Sequence, residues 1–305
     1  MSEFALQILG CSSATPTKER FPSSQYLTFN GQNILLDCGE GTQMQMLKYG
    51  KRFHKLNTIL ISHLHGDHYF GLIGLLSTMS LQGRSSVLTI IGPAQLMEIL
   101  NLQIECSGNS LSFEINFIPN DADSLKEIYR VGQLKISTFP IYHRIPCWGY
   151  LIEELNDTFP LNVKACESYN IPSAFYDRIK AGANYTNMEG EEILNDKLVF
   201  DKKPSFKYAY VSDTKYSEEY LPYLEKVDIL YHESTFLHEL KERADATYHT
   251  TAKEAAEIAH KCKVGKLVLG HFSARYLDEQ VLVDEAKPIF SNTIAAKEGM
   301  IIGSD

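Results

Sequence analysis

The chain has 305 residues, of which 44% are hydrophobic and 22% charged, with a formal net charge of −9. This balance excludes collagen-like and disordered chains and argues against coating nucleic acid through bulk charge. No apolar run reaches the ~18 residues of a membrane span, and the opening MSEFALQILG has no basic segment ahead of an apolar one, so neither a membrane protein nor a secretory signal is expected.

In chain order, Phe4–Leu9, Tyr26–Phe29 and Ile34–Asp37 are short β-prone runs separated by turn residues. Leu56–Ser62 is an apolar strand candidate, and Gly71–Leu81 behind it reads as a buried helix. Val87–Ile91 reads as a strand, with Pro93 opening the next helix at its first turn. Gln133–Ile141 and Gly149–Glu153 are strand candidates on either side of His143. Lys207–Ser212, Asp228–His232 and Lys266–Gly270 are three more, each apolar and each ending at a polar or charged group. Thr251-x-x-Glu254 is a capping box ahead of Ala255, Ile258, Ala259 and Cys262 at helical spacing. Asp278–Phe290 predicts another helix and Gly299–Ile302 a last strand. Strands followed by helix–strand alternation, twice over, predict an α/β fold of two similar halves stacked as layers.

Residues 154–204 break this rhythm. They are rich in Asn, Glu, Lys and Tyr, with weak periodicity and a short helix predicted at Ser173–Ala181. The stretch reads as an insertion projecting from a single catalytic domain over 1–305, and long insertions in compact domains tend to be functional. The cysteines, at 11, 38, 106, 147, 166 and 262, form no C-x-x-C pair and read as reduced thiols of a cytoplasmic protein.

The strongest signal is His63-Leu64-His65-Gly66-Asp67-His68, directly after an apolar strand. Alternation along an extended segment puts His63 and His65 on one side. The turn at Gly66 then lets Asp67 and His68 point elsewhere. One ion cannot easily take all four groups from so short a loop, whereas two adjacent ions can. A closed structural zinc site favours cysteine ligands, and none lies nearby. Further ligands are expected at later strand ends, where His143, Asp213 and His271 each follow an apolar run. Asp213 is the natural bridge, because a carboxylate has two oxygens to share. Imidazole and carboxylate without thiolate suit Zn²⁺, with Mn²⁺, Fe or Co possible.

These residues resemble the metal pattern of the metallo-β-lactamase superfamily. Within it, Asp37-Cys38-Gly39-Glu40-Gly41-Thr42-Gln43, Ser212-Asp213-Thr214, His232-Glu233-Ser234-Thr235-Phe236, His249-Thr250-Thr251 and His271-Phe272-Ser273-Ala274-Arg275-Tyr276 resemble the ribonuclease Z (tRNase Z) family over essentially the whole chain. The resemblance implies an αβ/βα four-layer sandwich with a protruding arm at 154–204. It implies a zinc-dependent endoribonuclease that cuts precursor tRNA on the 3′ side of the discriminator base and leaves a 3′ hydroxyl. It also implies a homodimer in which the arm of one subunit holds tRNA for the other.

Carried over by position, His63, His65, His143 and Asp213 would bind a first zinc, and Asp67, His68, Asp213 and His271 a second. Asp67 would be the general base or acid, and His249 would protonate the leaving oxygen or stabilise charge on the phosphate. His232 and Glu233 read as supports behind the site, and Arg275 as either a phosphate contact or an internal pairing. The chain departs from the family in its arm, where Ser173-Ala174 stands in place of a Gly-Pro step and 154–204 carries nine acidic against six basic residues. Arg178 and Lys180 are the arm's candidate RNA contacts. The competing reading is a superfamily hydrolase acting on a small phosphodiester or another small substrate.

Overall fold

The computed structural model describes residues 4–108, 110–156, 158–202 and 205–303. The first half runs β1 (Phe4–Gly10), β2 (Ser24–Phe29), β3 (Gln32–Leu36), α1 (Thr42–Lys48), β4 (Thr58–Leu60), α2 (Gly66–Tyr69), α3 (Leu72–Leu81), β5 (Leu88–Pro93), α4 (Gln95–Cys106) and β6 (Ile115–Asn120). Then come β7 (Lys126–Val131), β8 (Leu134–Ile141) and β9 (Cys147–Glu154). An inserted stretch follows with α5 (Val163–Ser168), α6 (Tyr176–Lys180), β10 (Tyr185–Thr186) and β11 (Glu192–Ile193). The chain resumes with β12 (Lys207–Val211), β13 (Ile229–Glu233), α7 (Lys241–Thr247), α8 (Ala252–Lys261), β14 (Lys266–Gly270), α9 (Gln280–Ala286), β15 (Thr293–Ala295) and β16 (Ile301–Gly303).

Two seven-stranded sheets result, ordered β16-β1-β2-β3-β4-β5-β6 and β15-β14-β13-β12-β9-β8-β7. Strands β3 to β6 pair in parallel, as do β12 to β15. Parallel strands covered on both faces read as continuous apolar runs, and β5 is buried at every position. One face of the first sheet packs Leu35, Ile59 and Ile90 against Met46 of α1, Leu72, Leu75, Leu76 and Met79 of α3, and Leu96 and Leu100 of α4. Its other face meets the second sheet: Tyr208 O–H donates to Gln25, Tyr210 O–H to Asp37 and Tyr150 O–H to the carbonyl of Ile61. The amphipathic α8, capped by Thr251 and Glu254 as its sequence predicts, packs on β13 and β14. The order is thus helices, sheet, sheet, helices.

Residues 153–206 make a second compact unit. Cys166, Ile171, Ile179, Tyr185, Ile193 and Leu198 form its small core. The helix expected over Ser173–Ala181 is a 3₁₀ turn at Ser173–Phe175 followed by α6.

Three expectations change. Pro93 closes β5, paired with Asn120, and α4 begins two residues later; the pairing with β4 ends at Ile91, so a residue without an N–H is tolerated at this strand end. The helix expected over Asp278–Phe290 shortens to α9: the Asp278 carboxylate receives the Gln280 N–H at 2.9 Å ahead of it, and Pro288, with no N–H to donate to the helix, stands two residues past its end. The last strand is Ile301–Gly303, since Gly299 turns the chain with φ 84°. The elements α1, α2, β6, β7 and β15 carry weak periodicity and appear only in the fold.

Candidate metal centre

The site lies where strands end. Asp37 follows β3, the His63–His68 loop follows β4, His143 follows β8, Asp213 follows β12, Glu233 ends β13 and His271 follows β14. Carboxyl ends of parallel strands share one edge of their sheet, which is where open α/β folds place ligands. Two loops are locked there by main-chain bonds. The Cys38 N–H donates to the His68 carbonyl at 2.8 Å, and the Gly71 N–H to the Cys38 carbonyl at 2.9 Å. A Cβ on Gly71 would lie 2.1 Å from the Gly39 carbonyl oxygen, so only glycine lets α3 start this close.

All seven side chains named from sequence as ligands converge. His63, His65, His143 and Asp213 form one cluster and Asp67, His68, Asp213 and His271 another, with the offered atoms of each within 4.8 Å of one another. Asp213 divides its two oxygens between them. Its Oδ2 lies 3.7 Å from His63 Nε2 and 3.8 Å from His143 Nε2. Its Oδ1 lies 3.3 Å from His68 Nε2 and 3.1 Å from His271 Nε2. Asp67 Oδ2 is 3.4 Å from both His68 Nε2 and His271 Nε2.

Four of the five ligand imidazoles are held from the far side, whereas His65 turns its Nδ1 toward His63 Nε2 at 3.1 Å and His143 Nε2 at 2.9 Å. Ser62 Oγ meets His63 Nδ1 at 3.0 Å, Asp37 Oδ2 meets His68 Nδ1 at 2.7 Å, the Tyr248 carbonyl meets His143 Nδ1 at 3.1 Å and Thr235 Oγ1 meets His271 Nδ1 at 3.0 Å. Such partners fix the ring and aim Nε2 into the site.

The donor set fits two divalent cations. Ligands at ~2.0–2.1 Å around a tetrahedral ion stand ~3.3 Å apart, and the separations above bracket that figure. His68 Nε2 is buried without a hydrogen-bond partner. Burial alone would lower the His68 pKa, but the carboxylates of Asp213, Asp67 and Asp37 raise it well above the ordinary value, the mark of a place that demands positive charge. Burial and the neighbouring imidazoles hold His63 well below it, and burial brings His143 to about 4. Both stay neutral, as ligands must. A third grouping, Glu233, His249 and His271, is also close-set. There Glu233 is already saturated by the N–H groups of Thr214 and Thr235, by Thr235 Oγ1 and by His249.

Asp67 opposes burial, which would raise its pKa, with His68 and hydrogen bonds from His271 and His68, and its carboxyl stays far below the usual range. The Ala14 N–H also donates to Asp67 Oδ2 at 2.7 Å. His249 Nδ1 lies 2.8 Å from Glu233 Oε1; that carboxylate outweighs burial and raises the imidazole to about 9. A cavity of about 420 Å³ opens over these groups, lined by Asp67, Asp213, His249, His271, Phe70 and Arg144 among others.

Of the other residues named from sequence, Glu233 supports His249, whereas His232 turns to Tyr220 O–H at 3.2 Å and to the Glu233 carbonyl at 2.7 Å. Arg275 lies over the Phe236 ring at 5.0 Å and donates to Ser273 Oγ. Arg178 and Lys180 are on α6, where Lys180 pairs with Asp177 at 3.4 Å on the surface, an arrangement of small energetic worth. Sequence reading missed Arg144, whose only signal was its place beside His143, and it did not assign Asp37 its role behind His68.

The family model described as Anti-Pycsar protein Apyc1 matches residues 4–159. The chain is 43% identical over 302 residues to a protein named Ribonuclease Z of Bacteroides fragilis, covering 99% of both chains. It is 42% identical to another of that name from Porphyromonas gingivalis, again covering 99% of both. Among solved structures it is similar to human short-form tRNase Z, with TM-score 0.71, 25% identity and 98% of each chain covered. It also shares the fold of a metallo-β-lactamase fold protein from Bacillus subtilis, with TM-score 0.71, 20% identity and 99% of this chain and 100% of that one covered.

Proposed function

The chain belongs to the ribonuclease Z family, and from that premise we propose that it is a metal-dependent endoribonuclease removing the 3′ trailer of precursor tRNA after the discriminator base. The observation that carries the mechanism is the division of Asp213 between two ligand clusters beneath a cleft that also holds Asp67 and His249.

His63, His65, His143 and Asp213 would hold one zinc, and Asp67, His68, Asp213 and His271 a second. Two zinc ions, when bound, supply a water of lowered pKa and Lewis-acid polarisation of the phosphate. Asp67, ionised and oriented by the Ala14 N–H, accepts the proton of the attacking water. His249 is held by Glu233 at Nδ1 and so offers Nε2–H to the cleft. It donates that proton to the departing 3′ oxygen of the discriminator nucleoside, leaving a 3′ hydroxyl on the tRNA and a 5′ phosphate on the trailer. No serine or cysteine nucleophile is required. The unit at 153–206 serves as the arm that grips tRNA.

Among the described residues no helix is long and apolar enough to cross a membrane. Action on precursor tRNA would place the protein in the cytoplasm. A homodimer fits the exposed Met44 and Leu47 of α1, whose apolar side chains a second copy would cover.

The test is cleavage of a 3′-extended precursor tRNA by zinc-loaded protein, with Asp67→Ala alongside. A single cut after the discriminator base, lost in the variant, is expected. Hydrolysis of bis-p-nitrophenyl phosphate without any cut in the RNA would replace this reading with that of a small-phosphodiester hydrolase.

A further inference from the structure

Arg144 is the one lysine or arginine among the described residues lining the cavity over Asp67, Asp213, His249 and His271. It follows His143 directly, in the exposed turn between β8 and β9. Three other arginines are engaged elsewhere. Arg20 is buried, pairs with Glu279 at 2.6 Å and donates to the carbonyls of Ser273 and Tyr276. Arg84 is buried and donates to the carbonyls of Ser86 and Val87. Arg130 pairs with Glu127. Among the described residues, the Arg144 guanidinium has no hydrogen bond or ion pair with the rest of the chain.

The remaining formal charges lining this cavity, apart from the imidazoles, are acidic: Glu40, Asp67 and Asp213. An RNA strand entering it brings one negative charge per nucleotide. The scissile phosphate belongs over the buried ligand groups. The phosphate beside it falls toward the rim, where an unpaired guanidinium fork matches two phosphate oxygens. We propose that Arg144 binds the non-bridging oxygens of a phosphate adjacent to the scissile one, fixing the register of the strand. This rests on the ribonuclease reading above.

Steady-state cleavage of precursor tRNA by zinc-loaded wild type, Arg144→Ala and Arg144→Lys tests it, with zinc content measured for each and bis-p-nitrophenyl phosphate as a substrate lacking a neighbouring phosphate. Arg144→Ala is expected to raise KM for the precursor about tenfold, the size of one charge-assisted contact. It should also reduce the salt slope of binding by about one. Hydrolysis of the small diester and zinc content should not change. Arg144→Lys should recover the salt slope but only part of KM, because an ammonium lacks the fork. Unchanged KM and salt slope in Arg144→Ala would overturn the inference alone. Equal losses on both substrates would overturn it too, placing Arg144 on the scissile group. A wild type that leaves the precursor uncut would remove the ribonuclease reading and this inference together.

Discussion

Asp37 Oδ2 lies 2.7 Å from His68 Nδ1, with both side chains fully buried. The same carboxylate receives the Ser62 N–H, the Ser62 hydroxyl and the Tyr210 hydroxyl. It therefore joins β3, the ligand loop and β12 behind one imidazole. Asp37→Asn should keep the volume but replace one acceptor oxygen with a donor facing donors. Zinc affinity, measured by chelator competition, is expected to fall about 10–100-fold. An unchanged affinity would mean that His68 is oriented by packing alone.

Glu233 and His249 should behave as one unit. His249→Ala is expected to lower kcat on precursor tRNA by about 10²–10⁴, and Glu233→Gln by less. The double variant should be no worse than His249→Ala alone. Additive losses in this cycle would assign Glu233 a separate task.

Gly71→Ala should cost about 1–3 kcal/mol of stability by overpacking, because the new methyl meets the Gly39 carbonyl. Thermal unfolding measures the loss. Since the 38–39 and 66–71 segments hold each other, zinc retention is expected to weaken in parallel; a variant as stable as wild type would show that the two segments readily move apart.

Ile179 is 1% exposed in the small core of the 153–206 unit. Truncating it to alanine should cost about 2–5 kcal/mol within that unit. Turnover of bis-p-nitrophenyl phosphate is expected to persist while KM for precursor tRNA rises. Loss of both activities would mean that the unit also supports the centre.

His232 gives a pH dependence away from the ligands. Burial lowers its pKa, and it accepts from Tyr220 while donating to the Glu233 carbonyl, an arrangement open only to the neutral ring. Unfolded histidine takes up a proton near pH ~6.5. The folded pKa lies below the unfolded one, so the unfolded state binds more protons and stability falls as pH drops below that point. Urea unfolding from pH 7.5 to 5.5 should show a steeper decline for wild type than for His232→Gln; parallel curves would remove His232 from the effect.

The ligand loop was legible in the sequence because its chemistry is local. Four donors in six residues, with strand alternation and one glycine turn, need no distant partner to be recognised. His143, Asp213 and His271 were legible as polar residues closing apolar strands. Tertiary structure alone decided how they meet. Parallel pairing brings the ends of β12, β13 and β14 to one edge, and only there does Asp213 divide its oxygens. The hold of Asp37 on His68, the hold of Glu233 on His249 and the position of Arg144 over the cleft join residues through space rather than by a shared local motif. Helix periodicity likewise failed at α2 and at the edge strands, where one turn or a half-exposed strand buries too little apolar surface to leave a pattern.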